Sequence, residues 1–123
     1  MARNGLTLAV VDDDDDVRAA LSRLLRAMGH TVSLFTSAED FERATVAADC
    51  VILDVRLPGA SGLELRARLR SRAVATPVVL ITGDGDWPAA GSAIDTPLVT
   101  KPFDDDALAA AIAEAIASTE PSS

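Results

Sequence analysis

The stretch that decides the fold is LTLAVVDDDDD, which runs from Leu6 to Asp16. Its first six residues are a mostly apolar run, a pattern typical of a strand buried in a sheet. Five aspartates follow directly, and five like charges on adjacent residues repel one another. Such a run is either a solvated turn whose last members start a helix, or a place where negative charge is concentrated to hold a cation.

The composition describes one compact domain. The chain has 123 residues, 49% hydrophobic and 24% charged, and a chain of this length buries roughly two thirds of its unfolded surface. The formal net charge of −8 argues against direct nucleic-acid binding, because phosphate backbones are held by clustered Lys and Arg. No apolar run is long enough for a bilayer, no signal peptide is visible, and the single cysteine excludes an internal disulfide. We therefore predict a soluble cytoplasmic protein with no membrane partner.

Strand-like and helix-like runs alternate along the whole chain. The predicted strands are residues 6–11, 31–35, 50–55, 76–82 and 97–101. Ser37 and Asp104 stand where helix N-caps are expected, and Gly29 stands where the first helix should end. Only two helical turns, around residues 89–94, are predicted between the fourth and fifth strands. The alternation predicts an α/β fold, a doubly wound parallel sheet of five strands.

Chemically active side chains stand at the carboxyl ends of these strands, where ligands of such sheets gather. In chain order they are Asp12, Asp13, Asp54, Thr82 and Lys101. Carboxylate oxygens suit Mg²⁺, while a hydroxyl and an ammonium group suit a phosphoryl group. A carboxylate beside Mg²⁺ and Lys can itself act as a nucleophile and form an aspartyl phosphate. Asp54 is the best candidate, because it ends the most apolar strand.

Four motifs in this order resemble the receiver domain of response regulators, the CheY-like family of two-component signalling. They are VVDDD after the first strand, ILDVRLPGASGLEL around Asp54, LITG ending at Gly83, and KPF from Lys101. The resemblance spans about Leu6 to Ala117. It implies a receiver domain over residues 1–118, with residues 119–123 as a tail or the start of a linker.

The resemblance also implies a detailed fold: a flavodoxin-like sheet of order 2-1-3-4-5. The segment from Thr82 to Lys101 is a few residues shorter than is usual in the family, so the fourth helix, which lies between the fourth and fifth strands, is expected to be reduced. Leu98 stands where the family commonly has Tyr or Phe as the partner of the switch hydroxyl. We therefore expect the signal to leave the site by a route other than the movement of an aromatic ring.

The roles of the site residues are also implied by the resemblance. Asp54 would be the phosphoacceptor, Thr82 the switch hydroxyl, and Lys101 the contact to the phosphoryl group. The implied protein ligands of Mg²⁺ are Asp12 (through water), Asp13, Asp54 and the backbone carbonyl of Arg56.

The run of five aspartates then divides. Asp12 and Asp13 belong to the metal site, and Asp14 is expected in the loop near it. Asp15 and Asp16 are interpreted as first-turn helix charges, which are favourable at the positive end of a helix.

The function implied is that of a signalling phosphoacceptor, not an enzyme, that assists its own phosphorylation and dephosphorylation. Its partners would be a sensor histidine kinase or phosphotransfer protein, and an effector domain or downstream protein. It would be a monomer, or a dimer formed on phosphorylation. One alternative is a receiver-like binding module that works without phosphorylation. Another is a Mg²⁺-dependent aspartyl-phosphate phosphatase, which requires a second Asp two residues after Asp54, where Arg56 stands.

The remaining reactive side chains are assigned to structure. Cys50 is expected to be a small core residue. His30, which follows Gly29, is expected to be a solvated turn residue and not a phosphorylated histidine. The helix after Asp54 carries a series of arginines that is expected to form its wet face: Arg66, Arg68, Arg70 and Arg72.

Overall fold

The secondary structure comes from a computed structural model that describes residues 5–44, 47–54, 62–70, 76–82, 98–100 and 104–119. Its elements are β1 (Thr7–Val11), α1 (Asp15–Ala27), β2 (Thr31–Phe35), α2 (Ala38–Ala44), β3 (Cys50–Asp54), α3 (Gly62–Arg70), β4 (Val78–Thr82), β5 (Leu98–Thr100) and α4 (Asp105–Thr119). The strand bounds agree with the prediction to within about two residues. The reduced helix predicted between β4 and β5 lies outside the described residues.

The sheet is parallel, and its strands lie in the order β2-β1-β3-β4-β5. Each pair of sequential parallel strands needs a crossover, and the described crossovers contain helices. The chain builds β2 on one side of β1 and β3 on the other, so the strand order reverses at β1. The α/β fold with a parallel sheet is therefore confirmed, and its reversal point lies beside the aspartate run.

Two hydrophobic cores cover the two faces of the sheet. Alternation along β1 places Leu8 and Val10 in one core, and Ala9 and Val11 in the other. The first core also contains buried residues of α1 and α4, and the second those of α2 and α3. Apolar residues on both sides of each central strand are what a doubly wound sheet requires. Among the helices that the structure describes, none is both long and apolar enough to span a membrane.

Local hydrogen bonds fix the helix ends. Asp14 is the N-cap of α1, and its Oδ1 accepts hydrogen bonds from the N–H groups of Asp16 (2.8 Å) and Val17 (3.2 Å). Asp14 thus lies in the loop directly before α1, as expected, and caps the helix from there; Asp15 and Asp16 lie in the first turn, also as expected. The predicted cap at Asp104 is confirmed, since its Oδ1 accepts from the Ala107 N–H at 2.7 Å.

The amino-terminal edge of the sheet is tied together by hydrogen bonds to the backbone. The Thr7 N–H donates to Asp49 Oδ2 at 2.8 Å, and the Asp49 N–H donates to the Thr7 carbonyl at 2.7 Å. The Leu6 N–H donates to His30 Nδ1 at 3.2 Å. His30 is half-buried and accepts a backbone hydrogen bond, so its interpretation as a solvated turn residue is wrong. Burial lowers its pKa from the ordinary value of about 6.5.

Candidate functional site

The register of the two central strands brings the first two site residues together. β1 pairs with β3 so that Val10 lies beside Ile52 and Val11 beside Leu53. Asp12 is one residue beyond the last of these pairs, and so is Asp54. Because successive residues of a strand alternate between faces, this register carries both carboxylates to the same point at the carboxyl edge.

Three carboxylates cluster at this edge. Asp12, Asp13 and Asp54 each offer one oxygen atom, and these three atoms lie within 4.8 Å of one another. The Asp12 side chain is fully buried, Asp54 is 7% exposed, and Asp13 is exposed. Two unit charges at about 5 Å repel by roughly 3 kcal/mol at an effective dielectric constant of 20. A cation bound among these oxygens would relieve that repulsion.

The donor set fits a hard divalent cation. Carboxylate oxygens are the protein ligands that Mg²⁺ prefers, and Mg²⁺ commonly keeps several of its waters while one or two carboxylates bind it. Exposure of Asp13 leaves one side of the cluster accessible to such a hydrated ion. Asp12, Asp13 and Asp54 are thus the described residues that could hold the metal.

Asp12 is fixed through both its backbone and its side chain. Its N–H donates to the Phe35 carbonyl at 3.1 Å, and its Oδ1 accepts from the Asp14 N–H at 2.9 Å. Its backbone carbonyl accepts from Arg18 Nη1 at 2.7 Å. A buried carboxylate at a strand end is thus held against β2 on one side and against the start of α1 on the other.

Arg18 is a residue of this site that the sequence analysis missed. Its side chain is 14% exposed, and besides the Asp12 carbonyl it contacts the Asp15 carboxylate through Nη2. Long side chains on a helix lean toward its N-terminus, so a cation in the second turn of α1 can reach the end of β1. The signal in the sequence was an arginine three residues after a first-turn aspartate.

Thr82 lies on the neighbouring strand. It ends β4, its residue is 3% exposed, and the register pairs Asp54 with Ile81, the residue directly before it. Thr82 pairs in turn with Thr100 at the end of β5, directly before Lys101 in sequence. Lys101 and Arg56 lie outside the described residues, so their positions remain predictions.

Cys50 and Arg68 have structural roles away from this edge. Burial raises the pKa of the Cys50 thiol to about 12, so it stays protonated and acts as core packing, as predicted. The exposed Arg68 makes two hydrogen bonds of 2.9 Å with Glu42, which raise the pKa of its guanidinium. Arg68 therefore joins α3 to α2 on the wet surface.

Comparisons with known proteins agree with this geometry. Residues 8–113 match the response regulator receiver domain family. The transcriptional regulatory protein FixJ of Azorhizobium caulinodans is 44% identical over 112 residues, a match that covers 87% of this chain and 53% of that protein. The chain thus spans about half the length of this curated relative.

Solved structures give the same result. Full-length FixJ from B. japonicum aligns with a TM-score of 0.81 at 36% identity, over 97% of this chain and 61% of that one. The BeF3-activated DrrB receiver domain aligns with a TM-score of 0.71 at 29% identity, over 92% of this chain and 98% of that one. The family match spans most of the sequence and both strand ends that carry the acidic cluster. This chain belongs to the response regulator receiver domain family of two-component systems.

Proposed function

We propose that this receiver domain accepts a phosphoryl group on Asp54, in the presence of Mg²⁺, from a sensor histidine kinase or a phosphotransfer protein. The observation that carries the proposal is the acidic cluster, in which oxygens of Asp12, Asp13 and Asp54 lie within 4.8 Å of one another at the carboxyl edge. An acceptor must be negatively charged yet approachable by a negatively charged donor, and a cation held by this cluster satisfies both demands.

Among the three carboxylates, Asp54 has the features of the acceptor. Asp12 is fully buried and its Oδ1 is already engaged by the Asp14 N–H, so its side chain suits a supporting role. Asp13 is exposed in the turn before α1 and has no strand to fix it. Asp54 combines both requirements, because it ends a central strand and retains 7% exposure. A fixed and accessible nucleophile favours in-line attack.

The transfer replaces one bond to phosphorus with another. An oxygen of Asp54 attacks the phosphorus atom, a new P–O bond forms, and the bond to the donor breaks, which is P–N in phosphohistidine and P–O in acetyl phosphate. The leaving imidazole or acetate keeps the bonding electrons. When bound, Mg²⁺ supplies the positive charge that compensates the equatorial oxygens. Asp13, Asp54 and the Arg56 carbonyl would hold the ion directly and Asp12 through water, while the Thr82 hydroxyl and the Lys101 ammonium group would hydrogen-bond the transferred group.

The change of state should reach the surface through Thr82. This residue is almost fully buried at the end of β4, so any movement toward the phosphoryl group disturbs packing around it. Leu98 has no ring or hydroxyl to follow that movement, so we propose that the segment after Thr82, residues 83–97, carries the change. Trp87 lies in that segment, and its fluorescence should shift when beryllofluoride is added to Mg²⁺-loaded protein.

The larger protein and its location are also proposals. FixJ is named as a transcriptional regulatory protein and is about twice as long as the region it shares with this chain. We propose that residues 1–118 form the receiver unit, and that residues 119–123 are a tail or lead to an effector domain or downstream protein. The domain acts in the cytoplasm as a signalling phosphoacceptor, as a monomer or a phosphorylation-dependent dimer.

Phosphorylation with acetyl phosphate tests the central claim. Protein incubated with the donor and Mg²⁺ should gain one phosphoryl group by intact mass spectrometry, and chelation of Mg²⁺ should prevent the gain. Asp54→Asn should remove it, because an amide is not a comparable nucleophile. Asp49→Asn is the matched control, since Asp49 lies at the amino-terminal edge and should not affect labelling. Unchanged labelling of Asp54→Asn would assign the acceptor elsewhere.

A further inference from the structure

Arg18 places a largely buried cation beside a site that is built to bind one. Its side chain is only 14% exposed, and Nη1 donates to the Asp12 carbonyl at 2.7 Å. Nη2 meets the Asp15 carboxylate, whose side chain is 89% exposed. An ion pair with so exposed a partner contributes little to stability. The role of Arg18 is therefore sought in its hydrogen bond to the Asp12 carbonyl.

The hydrogen bond from Arg18 adds to others that fix Asp12. Without Arg18, the Asp12 backbone would still donate to the Phe35 carbonyl at 3.1 Å, and its Oδ1 would still accept from the Asp14 N–H at 2.9 Å. The guanidinium adds a bond on the carbonyl side of the Asp12 peptide, the side that leads into Asp13. The orientation of this peptide sets where the two adjacent carboxylates lie relative to Asp54.

We propose that Arg18 is a positioning residue of the phosphorylation site: it holds the Asp12–Asp13 turn in the geometry that binds Mg²⁺ beside Asp54. The inference rests on the proposed function and adds a residue to it. Groups that orient metal ligands without touching the metal are typically worth 10- to 100-fold in affinity.

A role through charge and a role through positioning predict opposite changes in Mg²⁺ affinity when Arg18 is removed, so the proposal can be tested. If Arg18 acted only through its charge, removing it would relieve repulsion with the bound cation and tighten Mg²⁺ binding. If it positions the turn, removing it loosens Asp12 and Asp13 and weakens Mg²⁺ binding. The sign of the change in affinity therefore separates the two roles.

The experiment measures Mg²⁺ affinity by following the amide resonances of the protein by NMR as MgCl₂ is added. Arg18→Met should bind Mg²⁺ about tenfold more weakly than wild type. Arg18→Lys keeps the charge and one donor for the Asp12 carbonyl, so it should recover at least half of the lost binding free energy. The Mg²⁺ concentration that gives half-maximal phosphorylation by acetyl phosphate should rise by the same factor in Arg18→Met. The phosphorylation rate at saturating Mg²⁺ should change less.

Two controls separate positioning from general effects. Arg23→Met removes the same charge from an exposed position on α1 and should leave Mg²⁺ affinity within about twofold. Leu25→Val loosens the buried face of the same helix, so it should lower the melting temperature without weakening Mg²⁺ binding. If Arg18→Met does not fold, Arg18→Gln, which has no charge and a shorter reach, takes its place with a required loss of at least about threefold.

Equal or tighter Mg²⁺ binding in the folded variant, or no recovery in Arg18→Lys, overturns the role of Arg18. Those results would leave the proposed function standing, provided that wild type still binds Mg²⁺ and is phosphorylated. Failure of wild type to do either would instead remove the proposed function itself.

Discussion

The two ends of the central strands use the same kind of side chain for opposite purposes. At the amino-terminal edge, the Asp49 carboxylate accepts a hydrogen bond from the Thr7 N–H at 2.8 Å and so stabilises the sheet. At the carboxyl edge, three aspartates bring oxygen atoms within 4.8 Å of one another. The carboxylate at one end thus supports the sheet, whereas the carboxylates at the other end repel one another. Functional sites commonly carry such a local cost in stability.

The largest expected effect is the response of the carboxyl edge to Mg²⁺. At 100 times its dissociation constant, Mg²⁺ should raise the free energy of unfolding by about 2.7 kcal/mol, because it binds the folded state alone. Asp13→Asn should lose most of this increase, since it removes one of the three charged ligands. Urea unfolding with and without MgCl₂ measures both values. Asp49→Asn should keep the full response, and an equal response in Asp13→Asn would remove Asp13 from the metal site.

A smaller effect is expected at the amino-terminal edge. Asp49→Ala should lower the free energy of unfolding by about 1 kcal/mol, because the Thr7 N–H loses a charged acceptor in a solvent-exposed place. The loss should be the same with and without Mg²⁺, which urea unfolding in both conditions checks. A loss of stability that appeared only with Mg²⁺ would show that the two edges of the sheet are coupled, and would contradict their separate roles.

The third prediction is a change of the opposite sign. In the absence of Mg²⁺, Asp13→Asn should be more stable than wild type by about 0.5 to 1 kcal/mol, because it removes a like charge near Asp12 and Asp54 in an exposed, well-screened position. The measurement is urea unfolding in EDTA. Asp16→Asn, in the first turn of α1, is the control and should not stabilise. A destabilised Asp13→Asn would mean that the cluster is not strained.

The smallest effect concerns pH and His30. Its folded-state pKa lies below the ordinary value of about 6.5, and neutral Nδ1 accepts from the Leu6 N–H. The unfolded state therefore binds the proton more readily, so this contribution is complete above pH about 6.5 and is lost as the pH falls toward the folded-state pKa. We expect a loss of about 0.5 kcal/mol, the lower end for one hydrogen bond.

Unfolding in urea between pH 7.5 and 5.5 checks this contribution. His30→Asn offers an acceptor oxygen that does not titrate in this range, so its stability should change less with pH than that of wild type. An identical pH dependence in the two proteins would show that His30 is not the group responsible.

The sequence alone determined the elements and the kind of site, because these depend on local physics. Short apolar runs marked the strands, and short polar side chains such as Asp104 marked helix starts through hydrogen bonds within one turn. A period of 3.6 places five residues on one face of α4, and the structure buries all of them: Leu108, Ala111, Ile112, Ala115 and Ile116. Strand ends that carry Asp12, Asp13 and Asp54 then indicated a cation site.

Tertiary structure decided what depends on contacts between distant parts of the chain. A shift of one residue between β1 and β3 would have turned Asp54 away from Asp12, and no local pattern fixes that register; pairing of Val11 with Leu53 does. The reach of Arg18 back to the Asp12 carbonyl and the bond from Leu6 to His30 arise in the same way. Both join groups brought together only when the strands and helices pack, so the sequence pattern could not reveal them.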